Sequence, residues 1–164
     1  MSVSIHQSVI NSDTLSMMLA IQDGEINELD SSGKTALHHA TEYGETELVS
    51  LLLAHGADVD VVDGAGEKAL AYAVYNNNTE IVSMFLAHGV HIDDEVSEGK
   101  TMLVNACENM EESLVEFLLN KGADPMKVIN NDSVYELLMN GDDDLLPNQN
   151  IITLLHKHKK DSLK

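Results

Sequence analysis

The chain has no arginine and no tryptophan, only two phenylalanines and two prolines, and a single cysteine among its 164 residues. Without arginine it has no planar fork to clamp a phosphate through paired hydrogen bonds. One cysteine cannot close an intramolecular disulfide, so Cys107 is read as a buried core thiol. With so few prolines and no Ser/Gly-rich run, no internal linker is visible. The opening MSVSIHQSVINSD carries neither a basic leader nor an apolar run long enough for a signal peptide or a membrane span. A cytoplasmic location is therefore expected, with export by a signal-independent route left open.

Negative charge is what the chain has in excess. It carries 28 acidic residues against nine lysines, a formal net charge of −19. Four of the lysines (157, 159, 160 and 164) fall in the last eight residues, so the first 150 residues are more acidic still. Such a surface repels nucleic acid phosphates and anionic lipid headgroups and attracts basic proteins. The expected partner is a basic protein, with no nucleic acid and no membrane, and the free chain is expected to be a monomer.

A period of 33 residues organises the sequence. GKTALHHATEYGETELVSLLLAHGAD begins at Gly33, GEKALAYAVYNNNTEIVSMFLAHGVHID at Gly66, and GKTMLVNACENMEESLVEFLLNKGADP at Gly99. Leu37, Leu70 and Leu103 share one register, as do Val49, Val82 and Val115, and Gly56, Gly89 and Gly122. Each unit reads as two short helices with a turn between them and a glycine stop after the second. A lone unit cannot bury its apolar face, so a fixed period of this length indicates a stacked solenoid. Upstream, TLSMMLAIQDGEINELDSSG is expected to continue the pattern with Leu15, Met18 and Ile26 in phase. Downstream, after about four inserted residues, Ile151, Ile152 and Leu155 are expected to stand where Leu48, Val49 and Leu52 stand.

TALHHA at 35–40 and ETELVSLLLAHGADVD at 45–60 resemble the ankyrin repeat family, whose signature is Thr-Pro-Leu-His-x-Ala. The resemblance implies an all-α solenoid of helix-turn-helix units with short β-turn tips. It divides the chain, as one domain over 1–164, into an N-terminal cap (1–32), repeats at 33–65, 66–98 and 99–131, and a C-terminal cap (132–164). The chain departs from the family pattern in places. Lys68 and Ala71 replace the Thr and His that brace the first helix. Met110 stands where Gly44 turns the chain and Asn77 where the third unit does, which marks the fourth unit for irregular geometry or strain.

Catalytic and metal chemistry find little support. There is no phosphate-cradling glycine loop, no G-x-S-x-G elbow, and no Cys/His pair with an orienting acid. His55 and His88, one repeat apart, would lie about a helix-packing distance of 10 Å from each other. That is too far to share a zinc ion bound at about 2 Å. HKHKK at 156–160 spaces its histidines at i, i+2, off a common helix face. The NGDDDLLPNQN run at 140–150 lacks the calcium-loop spacing and reads as a solvated connection. No enzyme activity, metal or cofactor is expected.

The resemblance instead implies a concave binding surface of turn tips and first-helix edges. In that register the tips contribute Lys34, Glu67, Glu98 and Lys100, with Asp94 and Glu95 in the acidic run HIDDEVSEGK. The helix edges contribute Glu42, Tyr43, Tyr75, Asn76, Glu108 and Asn109. His39, Tyr72 and Asn105 share one position and are expected either to reach the groove as a polar ladder or to lie solvated at its margin. Tyrosines suit a binding hot spot because they combine large contact area with few rotors. In size and charge the chain is similar to small acidic immunity or inhibitor proteins that neutralise a basic toxin or nuclease. An adaptor or host-directed effector that links proteins without inhibiting them is the alternative reading.

Overall fold

Thr35 begins the best-defined repeat. Its hydroxyl oxygen accepts from the His38 backbone N–H, and the His38 ring returns the bond by accepting from the Thr35 N–H. These two bonds close a capping box on a helix of only seven residues. The same position is Thr101 in the fourth unit, which caps through its hydroxyl, and Lys68 in the third, where no side-chain cap exists. In a computed structural model, the structure describes residues 4–97, 99–129, 132–133, 136 and 149–162.

In chain order the elements are α1 (Ile5–Ile10), α2 (Thr14–Gln22), α3 (Ala36–Glu42), α4 (Thr46–Ala54), α5 (Ala69–Tyr75) and α6 (Thr79–Ala87). There follow β1 (Glu95–Ser97), β2 (Lys100–Thr101), α7 (Met102–Glu108), α8 (Glu112–Asn120), β3 (Val128–Ile129), β4 (Asp132–Ser133) and α9 (Gln149–Ser162). They fall into two compact units, Met1–Val90 and His91–Lys164. In the first, each odd helix hairpins with the next, the inner helices α1, α3 and α5 pack side by side, and α4 packs on α6. In the second, α7 hairpins with α8, α9 packs on α8, and β1–β2 and β3–β4 form two antiparallel ribbons.

The 33-residue register becomes the core. Leu37, Val49 and Leu52, then Leu70, Val82 and Phe85, then Leu103, Val115 and Leu118 are all buried. Cys107 is buried with them, and burial first, then the neighbouring Glu108 charge, push its thiol up to about 12. In the C-terminal segment Ile151 and Leu155 are buried and Ile152 half-buried. The acidic run at 140–150 lies outside the described residues apart from its last two positions.

The first unit departs from the expected phase. From the Asn11 helix cap to the Tyr43 cap, and from Gly24 to Gly56, the spacing is 32 residues, one short of the period. The inward face of α2 is therefore Met17 and Ala20. Leu15 and Met18, expected in phase with the core, are 71% and 40% exposed. A one-residue slip turns a helix by about 100°, enough to carry a side chain from core to surface.

Two backbone features hold the turns. Gly44 turns the chain at φ +71°, and Asn77 and Met110 adopt the same left-handed conformation at +51° and +58°. The fourth unit thus keeps the turn and carries strain of about 1 kcal/mol at Met110. A separate irregularity lies just before it, in the β1–β2 ribbon, where the register shifts between Glu95 and Ser97. At the tips, the Gly64 N–H donates to the Ser32 carbonyl at 2.9 Å. A Cβ on Gly64 would sit 2.7 Å from that oxygen, and one on Gly33 2.9 Å from the Gly64 nitrogen, so the two tips meet backbone to backbone.

Candidate functional site

Each turn tip leads straight into an inner helix about 10 Å long, so a tip side chain can reach the far end of the helix it precedes. Two sets of side-chain bonds use this geometry. In one set, the His39 ring Nε2 meets Asp30 Oδ2 at 2.8 Å and the Tyr72 hydroxyl donates to Asp63 Oδ2 at 2.5 Å. In the second compact unit the Asn105 amide donates to Ser97 Oγ at 2.8 Å. In the other set, Lys34 Nζ donates to Glu42 at 2.7 Å, the Tyr75 hydroxyl to Glu67 at 2.9 Å, and Lys100 Nζ to Glu108 at 2.8 Å.

The polar ladder of His39, Tyr72 and Asn105 therefore braces the tip that precedes each inner helix. His39 and Asn105 are buried and Tyr72 is half-buried, so they offer little side-chain surface to a partner or to water. What fixes them are Asp30, Asp63 and Ser97, which the sequence reading did not single out. Asp30 and Asp63 share the 33-residue register, three residues before Gly33 and Gly66, and that repetition was the available signal. Each aspartate also accepts two tip amides: those of Ser32 and Lys34 for Asp30, and of Ala65 and Glu67 for Asp63.

The remaining candidates divide by exposure. Tyr43 is 56% exposed and stacks on the His39 ring with centroids 6.1 Å apart. Tyr75 is 41% exposed and meets Tyr72 edge-on at 6.2 Å. Asn76 donates to the Glu42 carbonyl of the preceding repeat at 2.8 Å, tying neighbouring helix ends. Lys34 Nζ lies 4.4 Å over the Tyr72 ring as well as on Glu42. Between the two tips of this unit is an open cleft of about 610 Å³, lined among others by Ser31, Lys34, Ala65 and Tyr72. In the second unit Asp94 accepts from the His91 N–H, Glu95 and Asn109 are exposed, and Asn109 caps α7. Glu98 lies outside the described residues.

The tip bonds shift the titration of their carboxylates. Burial works to raise Asp30, but hydrogen bonds from Ser32, from His39 and from the tip amides outweigh it and hold the group far below the ordinary carboxylate range. Asp63 is lowered on the same balance, burial against the Tyr72 hydroxyl and the Glu67 and Ala65 amides. His38 is lowered chiefly by burial, partly offset by the Glu67 carbonyl that its Nε2 meets at 3.1 Å. Its Nδ1 accepts from the Thr35 N–H, so a second ring proton would have to displace that bond.

A lowered folded value means that, as pH falls, the unfolded chain takes up the proton first, so stability held above the ordinary value is lost below it. Stability should fall in two stages, beginning below the ordinary histidine value of 6.5 for His38 and below 3.8 for Asp30 and Asp63. His38→Val, which installs the residue type of position 104, should remove the first stage and leave the second. Urea denaturation at a series of pH values measures both, and an unchanged first stage in the variant would assign it elsewhere.

Among the described residues no group of three or more His, Cys, Asp or Glu side chains is placed to hold a metal ion. His55 Nδ1 faces the Leu51 carbonyl of its own helix at 2.8 Å. No described helix is long and apolar enough to cross a membrane. The surface presents tip and helix-edge side chains, an arrangement suited to contacting another macromolecule. Comparison with curated proteins gives no match. The family model for ankyrin repeats (3 copies) matches residues 4–63 and 55–129, most of the chain, reaching into the second compact unit. Repeated helix hairpins, tip-to-tip backbone contact and this match agree: the chain belongs to the ankyrin repeat family, a family of protein–protein interaction modules.

Proposed function

We propose that this chain is a non-catalytic interaction module whose partner is a basic protein, and that it acts in the cytoplasm as an inhibitor or immunity protein by covering the partner's active surface. The observation that carries this reading is how the surface lysines are used. Lys34 and Lys100 are bound to a carboxylate of their own repeat, Glu42 and Glu108, and Lys68 to Asp60 of the preceding repeat. The cations at the tips are thus neutralised locally, and the chain's excess of carboxylates, a net charge of −19, has no tip lysine left to offset it. An acidic surface accelerates capture of a basic protein, while exposed tyrosines slow its escape.

The test is to recover the partner by low-salt pull-down, purify it and measure binding kinetics. Raising salt from about 0.05 M to about 0.5 M shortens the Debye length from about 14 Å to about 4 Å and should remove most of the steering. Charge reversal at Asp94 and Glu95 should lower the association rate chiefly at low salt. Tyr75→Ala should raise the dissociation rate at either salt, by about 2 kcal/mol in equivalent terms. A salt-insensitive association rate, or binding untouched by both changes, would place the contact on another face. A partner that keeps full activity in the complex would make the chain an adaptor.

A further inference from the structure

The middle repeat breaks the pattern of its neighbours at one rung. Positions 34 and 100 are lysines bonded to the glutamates at 42 and 108, a carboxylate with an ammonium of the same repeat upon it. At the equivalent rung the lysine is replaced by Glu67 and the glutamate by Tyr75. The carboxylate is kept but moved to the tip, an aromatic ring stands beside it, and the partner of the carboxylate is a hydroxyl. We propose that Glu67 and Tyr75 form a seat for a guanidinium group of the partner protein; this rests on the reading that the partner is basic.

The chain itself shows what such a seat holds. Lys34 Nζ lies 2.7 Å from a carboxylate oxygen of Glu42 and 4.4 Å from the centre of the Tyr72 ring. A carboxylate with a tyrosine face thus already accommodates a cation one repeat away. At 67 and 75 a carboxylate and a tyrosine stand side by side within one repeat, with glutamate at the position where 34 and 100 are lysine, and the next lysine along the chain, Lys68, is bound to Asp60. A planar guanidinium fits this pair better than an ammonium, because it can stack on the ring while donating in the plane to the carboxylate.

The seat is also held in advance. The Glu67 N–H donates to Asp63 Oδ1 at 3.1 Å, and the Glu67 carbonyl accepts from the Asp63 N–H at 2.9 Å and faces the buried His38 ring at 3.1 Å. The Tyr75 hydroxyl fixes the carboxylate from the other side, and the Tyr72 ring meets the Tyr75 ring edge-on. Little freedom is left to lose when a cation binds, and low ordering cost is what separates a hot spot from a rim charge.

The experiment is an NMR titration of the full chain at low ionic strength with acetyl-Gly-Arg-Gly-Arg-Gly-amide and its citrulline counterpart, which keeps the shape and removes the charge. Saturable shifts of the Tyr75 ring and the Glu67 amide are expected with the arginine peptide and none with citrulline. Glu67→Lys, the residue type of positions 34 and 100, should weaken the arginine peptide at least about fivefold, roughly 1 kcal/mol. Glu80→Lys makes the same charge change on α6 and should weaken it by less than about twofold. Tyr75→Leu should bring the arginine peptide down to the affinity of acetyl-Gly-Lys-Gly-Lys-Gly-amide, titrated alongside, whose ammonium groups cannot stack on a ring. Equal weakening by Glu67→Lys and Glu80→Lys, or shifts lying away from residues 67 and 75, would overturn the seat while leaving attraction of basic proteins intact. Failure of the unmodified chain to bind the arginine peptide anywhere would overturn both.

Discussion

Leu52→Ala should lower the stability of the chain by about 2–5 kcal/mol, whereas Glu42→Ala should change it by no more than about 0.5 kcal/mol. Leu52 is completely buried on α4, a helix that packs on α3 within its own repeat and on α6 of the next. Truncation removes apolar contacts that stacked helices cannot close without moving, so a cavity remains. Glu42 loses one ion pair, with Lys34, at a partly exposed helix end, and such pairs contribute about 0–1 kcal/mol. For a chain of this length each kcal/mol lowers the melting temperature by roughly 2–4 °C. Urea and thermal denaturation of the two variants check the ranking; the opposite order would mean that the 33-residue register had been assigned to the wrong helix face.

Deleting residues 149–164 should cost more than solubility can bear. α9 packs on α8 and buries Ile151 and Leu155. Each contributes about 1.5–3 kcal/mol through burial, and their removal uncovers apolar side chains of α8 as well. We propose that α9 serves as a cap: a capping unit presents a polar outer face, and α9 carries His156, Lys157, His158 and Lys159 toward its end. The truncated chain should aggregate at concentrations where the full chain does not, as read by size-exclusion chromatography with light scattering. A soluble truncation of unchanged stability would show that α9 is not a cap.

Most of the fold was legible because a repeat writes the same physical requirement several times. Leu37, Leu70 and Leu103 recur at a fixed spacing and lie in the core in each case. Where the repetition falters, so does the reading. The first unit is one residue short, and nothing local to TLSMMLAIQ reveals it, because Leu15, Met17, Met18 and Leu19 are all apolar and any of them could face inward. Only packing against the neighbouring helices selects Met17 and Ala20. At Met110 the composition pointed to strain and could not say whether the turn would be reshaped; the backbone keeps the left-handed turn.

The amino-acid sequence alone determined the family, the 33-residue period of its central stretches and the net negative charge, since each is a matter of period or composition. Which polar side chains remain available to a partner was decided only by the tertiary structure. Asp30 and His39 are nine residues apart, and Glu67 and Tyr75 eight, separations at which no helix or strand period pairs them. They meet because each tip folds back beside the inner helix it precedes. That geometry turns one set of recurring polar positions into internal braces and leaves the other, at the middle repeat, as a carboxylate beside an exposed ring.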